Sequence, residues 1–255
     1  MLPKIFRPKF NYNFLRIGNE YDGGYIVEKE NFFKSKMLVT AGLAYDFEFE
    51  EQYLKLNQNK VLCFDHTINF KHYFFTWFCL FIYRVLTFKK IGSIKKAFNN
   101  LMKPINLYNF LKKKNIQLKK IGLGLGEKKI SLSKLFLDHI KDKDILLKID
   151  VEGDEYRLLE DLKKFSDQIL ILVIEFHDAD LNLKKIEDFI LTFNLELIHV
   201  HPNNQGKIGP SGNPTLLEFT FAKSPKRIGE RKEILLELDR DNNPKLDTIN
   251  LQFET

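Results

Sequence analysis

Residues Ile145-Leu-Leu-Lys-Ile-Asp-Val-Glu-Gly-Asp-Glu-Tyr-Arg-Leu-Leu159 form an apolar run that stops in carboxylates and then turns helical. Ile145 to Ile149 reads as a short buried strand interrupted only by Lys148. Gly153 permits a sharp turn before a helix predicted from about Asp154. Asp150, Glu152 and Asp154 are thereby crowded at the carboxyl end of one strand. In an open α/β sheet, ligands bind outside that end, where strand order reverses. Asp154 and Glu155 read as first-turn acids that complement a helix N-terminus. Asp150 stands before the turn, so that account does not cover it.

Upstream, Met37-Leu-Val-Thr-Ala-Gly42 is a strand running into a glycine that allows a ligand to approach the backbone, and a helical pattern follows to about Leu56. Val61-Leu-Cys-Phe-Asp65 is a second strand ending in an acid, placed where a carboxylate accepts from a ribose diol. The alternative for Asp65 is the start of a turn with His66 and Thr67. One glycine in the loop leaves the pyrophosphate of NAD without a cradle. A nucleoside without phosphates fits better, S-adenosylmethionine (SAM) being the common one. Residues 115–122 are read as the third strand, and Gly122, Gly124 and Gly126 as a tight turn, since no Gly-Lys-Ser/Thr follows.

Downstream, Ile169-Leu-Ile-Leu-Val-Ile-Glu-Phe-His-Asp178 is nearly continuously apolar, as a strand covered on both faces must be, and ends in Glu175, His177 and Asp178. Residues 183–193 read as a helix and residues 195–201 as a strand closed by Pro202-Asn203-Asn204. Residues 216–222 are the last strand, and residues 247–253 add an edge strand. Strand ends at Asp65, Asp150, Glu175 to Asp178 and His199 to Asn204 converge as a site requires. Before the sheet, Asp22-Gly-Gly24 marks a β-hairpin turn within residues 1–36, and Tyr25 in its second strand is a candidate wall of the site.

The chain of 255 residues is 44% hydrophobic, enough for one sizeable domain, and its net charge of +6 implies basic patches rather than a polycation. Cys63 and Cys79 have no metal-type spacing, no metal is expected, and the N-terminus lacks an apolar signal region; the expectation is cytoplasmic. Residues 69–114 read as two or three amphipathic helices inserted after the second strand. Packing on the sheet, a lid, a homo-oligomer contact and a peripheral membrane surface all remain open for them. The apolar stretch 73–83 is too short to span a bilayer. Its aromatics are separated from the later lysines, which speaks against nucleic acid. Residues 224–255 form a tail.

Lys148-Ile-Asp-Val-Glu-Gly-Asp-Glu155 resembles the signature of the FkbM-like SAM-dependent methyltransferases, Lys-x-Asp-x-Glu-Gly-x-Glu after a strand. Val173-Ile-Glu-Phe-His177 is similar to that family's next strand, and Gly122 to Leu132 to its turn after the third. Residues 16–27, with 201–204, resemble a branch that modifies sugars or polysaccharides. The resemblance implies an α/β, Rossmann-like seven-stranded methyltransferase sheet, mostly parallel with the last strand antiparallel. It also implies SAM as donor and O-methylation. Gly42, Asp46 and Glu50 would then enclose the methionine part of SAM, Asp65 the ribose, and Asp150 the sulfonium end. The loop departs from the family form Asp-x-Gly-Ala-Asn-x-Gly.

Methyl transfer to a sugar hydroxyl is helped by a general base. His177 is the first candidate, His201 the second, with Glu175 beside them. Tyr25, Glu152, Asn203 and Asn204 are candidates for substrate contact. A minority alternative has Asp150, Glu175 and Asp178 collect a divalent cation. The expected acceptor is a carbohydrate, in particular a nucleotide-linked sugar of surface-polysaccharide biosynthesis. The rivals are an NAD-dependent oxidoreductase and a non-catalytic membrane-binding module.

Overall fold

The computed structural model describes residues 1–87 and 89–254. Seven strands build the main sheet: β1 (Met37–Ala41), β2 (Lys60–Phe64), β3 (Ile116–Lys119), β4 (Ile145–Ile149), β5 (Ile169–Phe176), β6 (Glu196–Pro202) and β7 (Leu217–Ala222). Their order across the sheet is β6-β7-β5-β4-β1-β2-β3. β7 is antiparallel to both β5 and β6, and the other neighbouring pairs are parallel. This is an α/β, Rossmann-like seven-stranded sheet, mostly parallel with one antiparallel strand. Strand order reverses between β1 and β4, so a crevice opens at their carboxyl ends.

Helices cover both faces: α1 (Lys29–Lys34), α2 (Glu48–Asn57), α3 (Phe70–Leu86), α4 (Ile91–Leu111), α5 (Leu132–His139), α6 (Leu159–Lys164) and α7 (Leu183–Thr192). Side chains alternate across a strand, and β1 shows the result. Met37, Val39 and Ala41 join one core with Leu135, Leu162 and Phe189 from α5, α6 and α7. Leu38 joins the other, with Phe32, Phe49, Tyr53 and Leu107 from α1, α2 and α4. A sheet buried on both faces needs apolar residues at nearly every position, which makes Lys148 an exception.

The helix expected from Asp154 starts later. A turn at residues 151–153 leads through a short 3-10 turn, Glu155–Arg157, to α6. The reason is Glu155: its buried carboxylate accepts from the amides of Val151 (3.2 Å) and Gly153 (3.0 Å) and fastens the turn. The insertion after β2 consists of α3 and α4. The third strand stops at Lys119, and Gly122–Leu123 pairs with Lys129–Ile130 as a separate ribbon. The tail forms no edge strand on the main sheet; Phe253 bridges to Leu2 and Gly229–Glu230 pairs with Phe10–Asn11. The N-terminal hairpin, Phe14–Gly18 with Gly24–Glu28, brings its turn over the crevice.

Candidate active site

The crevice holds a cleft of about 430 Å³, within the range of small-molecule sites. Its floor is the close passage of β1 and β4. The Asp150 amide donates to Ala41 O (2.9 Å), and the backbone turns at Gly42 with φ +86°. A Cβ on Gly42 would lie 1.7 Å from the Asp150 carbonyl oxygen, so glycine is a steric necessity there. Leu43, Phe64, Leu123 and Val151 give the cleft apolar walls; Asp22, Asp46, Asp150 and Glu152 give it an acidic edge.

Asp65 ends β2 and is buried. Its Oδ2 accepts from the amides of Leu43 (3.0 Å) and Ala44 (2.7 Å), and its Oδ1 from the amide (2.6 Å) and hydroxyl (2.7 Å) of Thr67. A carboxylate offers about four acceptor positions, so Asp65 shapes the glycine loop with all of them. A ribose at this point would share the carboxylate with Thr67 or with the loop amides. Asp46 lines the cleft and accepts from Asn19 Nδ2 (3.3 Å) and the Glu48 amide (3.2 Å), tying loop to hairpin. Tyr25 also lines it, in contact with the site's buried cation.

That cation is Lys148. Its Nζ lies 3.6 Å from Glu50 Oε1 and 5.5 Å and 5.8 Å from the ring centres of Tyr25 and Phe49. Burial pulls its pKa down, but Glu50, Asp150, Asp46 and Glu175 outweigh this and raise it, so the ammonium stays charged. Glu50 is fully buried, faces Lys148 and is not part of the cleft wall. The loop reading aimed Glu50 at SAM; in the structure it neutralises the lysine beneath. Sequence reasoning missed Lys148 as a site residue, although a lone charge inside an apolar strand was its signal.

His177 follows β5. Its Nδ1 is 3.0 Å from Glu155 Oε1 and its Nε2 is 3.3 Å from Glu152 Oε2 and 4.0 Å from Asp150 Oδ1. Glu155 accepts from Nδ1–H, so in the neutral ring Nε2 carries the lone pair, turned to the acidic edge. His177 reaches the cleft through Asp150 and Glu152 rather than lining it. Burial lowers its pKa, but the Glu155 hydrogen bond and the fields of Glu155, Asp150 and Glu152 raise it overall. Burial also raises Asp150, with Lys148 and His177 opposing. Glu152 sits at φ +56° with an exposed side chain.

The other expected residues lie elsewhere. His201 is buried, with Nδ1 3.1 Å from Asp239 Oδ1 and Nε2 3.2 Å from Asn242 Oδ1. It packs beneath the tail, away from the cleft. Glu175 is buried and accepts from Asn203 Nδ2 (2.9 Å); burial, with Glu218, Asp150 and Asp22, pushes its pKa well above the carboxylate range. Neither Glu175 nor Asn203 faces the cleft, and Asn204 Nδ2 donates to Asn243 O (2.9 Å) to hold the tail. Glu175, bound to Asn203, does not join Asp150 and Asp178 around a cation. Among the described residues, the groupings with metal-type spacing are Asp150–Glu152–His177 and His199–His201–Asp239. In the second, Arg231 Nη2 lies 3.4 Å from His199 Nδ1, so Nδ1 accepts and Nε2–H donates to Asp239 (3.0 Å).

A family model described as "Methyltransferase FkbM domain" matches residues 113–198, from just before β3 into β6, so it includes the Lys148–Glu155 motif and His177 but not the Gly42 loop. No curated protein matches the sequence. Among solved structures, the chain is similar to the METTL16 methyltransferase domain (9% identity, 74% of this chain and 59% of that one, TM-score 0.40). It is also similar to the Methanococcus jannaschii fibrillarin pre-rRNA processing protein (8% identity, 77% and 70%, TM-score 0.40). A third is the precorrin-6y methyltransferase of Geobacter metallireducens (12% identity, 74% and 80%, TM-score 0.38). These likenesses are distant, and the substrates of those proteins say nothing about this one. Residues 113–198 thus match a methyltransferase domain, and the strand order is Rossmann-like; the donor that such a domain implies is SAM.

The cleft fits that donor on its own chemistry. SAM carries a sulfonium and an α-ammonium, and the acidic edge offers Asp150, Asp46 and Asp22 to such cations. The apolar walls suit a nucleobase.

Proposed function

We propose that this chain is a SAM-dependent O-methyltransferase that acts on a carbohydrate hydroxyl, with a nucleotide-linked sugar of surface-polysaccharide biosynthesis as acceptor, in the cytoplasm. The observation that carries the reading is the His177 arrangement: a ring oriented by buried Glu155, with Nε2 directed at the acidic edge that Asp150 shares with the cleft. Bound SAM supplies an electrophilic methyl. The Gly42 loop, kept in shape by Asp65, would hold the nucleoside, and Asp150 the cationic end. His177 Nε2 takes the acceptor's proton as the oxygen attacks; Glu155, Asp150 and Glu152 stabilise the imidazolium that forms. General-base help of this kind contributes about 10²–10⁴-fold. Glu152, exposed at the edge, and Tyr25 are the residues we assign to the sugar. The acceptor assignment rests on the sugar-modifying resemblance of residues 16–27 and 201–204. Incubation with methyl-labelled SAM and a panel of nucleotide sugars tests it: label in a nucleotide sugar supports the proposal, and label only in RNA or protein overturns it.

A further inference from the structure

Among the described residues, the α3–α4 hairpin concentrates exposed apolar side chains against the burial rule. α3 is almost wholly apolar and aromatic, yet none of its residues is buried. Phe75 is 68% exposed and Leu86 70%, and Ile91 at the start of α4 is 85% exposed. Phe75, Phe78, Ile82 and Leu86 recur at three- and four-residue steps, so they form one continuous stripe. α4 packs Leu107 and Phe110 into the core of the protein body, and Phe81 meets Phe98 between the helices at 5.9 Å. Among the described residues nothing covers the outer stripe. Patches of this extent mark interaction surfaces.

The charge around the stripe selects the partner. From His66 to Gly126 there are twelve lysines and arginines and no aspartate or glutamate, so the rest of the chain holds more acids than bases. Lys71, Lys89, Lys90, Lys95, Lys96 and Lys103 on or beside the hairpin are all exposed. A second copy of the hairpin would bring like charges together, whereas an anionic bilayer satisfies both features: acyl chains take the aromatic stripe and headgroups take the lysines. No described helix is long and apolar enough to cross a membrane, so the contact lies in the interface plane. Phe88 lies outside the described residues.

We propose that the α3–α4 hairpin docks this protein onto the surface of an anionic lipid bilayer. A hollow of about 260 Å³ between Tyr73, Trp77 and Lys103 of the hairpin and Ala44 and Asp46 of the loop adjoins the main cleft, which shares Ala44 and Asp46. Docking therefore sets the mouth of the cleft beside the headgroups.

The test is sedimentation of the full chain with phosphatidylcholine vesicles, with and without phosphatidylglycerol, at low and high salt. Binding confined to the anionic vesicles and weakened by salt is expected. Replacing Lys89, Lys90, Lys95 and Lys96 with glutamine should weaken it by about a hundred-fold or more, since one lysine near such a surface is worth about five-fold. Phe75→Ser with Leu86→Ser should abolish it. All six residues are exposed, and far-ultraviolet circular dichroism with thermal melting reports whether each variant is folded; if a variant fails to fold, the salt dependence of the wild type decides. Equal binding to neutral vesicles, dimerisation through the hairpin without lipid, or capture of single-stranded oligonucleotide in place of vesicles would each overturn the proposal. Vesicle binding needs no methyl transfer, so its failure is separate from failure of the enzymatic reading.

Discussion

Two histidine clusters sit at the carboxyl ends of neighbouring parts of the sheet, and they differ in one respect that matters. His177, after β5, has Nδ1 committed to Glu155 and Nε2 beside the cleft's acidic edge. His199 and His201, on β6, lie against Asp239, Arg231 and Asn242 under the tail. A strand end and an acidic neighbour are common to both. What separates the candidate base from the structural histidines is where the second nitrogen looks: His177 Nε2 faces Glu152 and Asp150 at the edge of the cleft, whereas the β6 histidines face the tail.

The largest effect that would break this comparison is on turnover. His177→Ala should lower kcat by about 10²–10⁴-fold while leaving SAM affinity unchanged, measured by methyl transfer and calorimetry. His201→Ala should leave kcat per folded molecule within a few-fold. If the two results are exchanged, the assignment of roles is reversed.

Stability should show the opposite contrast. Burial pushes Asp239 up, but the fields and hydrogen bonds of His199 and His201 hold its carboxyl far below the usual range. Asp239→Asn should therefore cost about 3 kcal/mol in denaturant unfolding, as expected when one partner of a buried charged cluster is lost. A group with a depressed folded pKa stabilises above its unfolded value, near 3.9, so the wild-type advantage should be full at neutral pH and fade in acid below about pH 4.

The buried pair inside the site gives a similar test. Glu50→Gln leaves Lys148 charged without its partner and should destabilise the fold by about 3–5 kcal/mol. Retained stability with lost SAM binding would instead return Glu50 to the cleft.

A smaller effect is on the pH profile. Because its carboxylate neighbours raise His177, the base form should appear only above the ordinary histidine value near 6.5, and kcat should rise with pH through that raised pKa. Glu155→Gln removes one of those charges and should move the rising limb towards lower pH. A limb that stays in place would show that Glu155 only fastens the turn at Gly153.

Much of this was legible in the sequence because it is local. Strands such as Ile145–Ile149 and Ile169–Phe176 are nearly continuous apolar runs, each broken by a single charge, since both faces of a parallel sheet are buried, and their ends mark the crevice without knowledge of strand order. Gly42 and Asp65 are readable for the same reason. Long-range pairing was not. That Glu50 faces Lys148 depends on α2 packing over β4, and that His201 is closed off depends on Asp239 and Asn242, which lie 38 and 41 residues further on. Alternation on β6 says that His199 and His201 share a face; it does not say that the tail covers that face. Glu155 was read as a first-turn acid because helix-start acids and turn-capping acids have the same spacing.

The account stands most directly on the cleft between Gly42, Asp65 and Asp150. Isothermal titration of the wild type and of Asp150→Ala with S-adenosylhomocysteine measures it. The wild type should bind in a one-to-one complex, and Asp150→Ala should weaken binding by about ten-fold or more, the loss of one charge-assisted contact. No binding by the wild type, or binding of NAD in place of S-adenosylhomocysteine, would contradict the account.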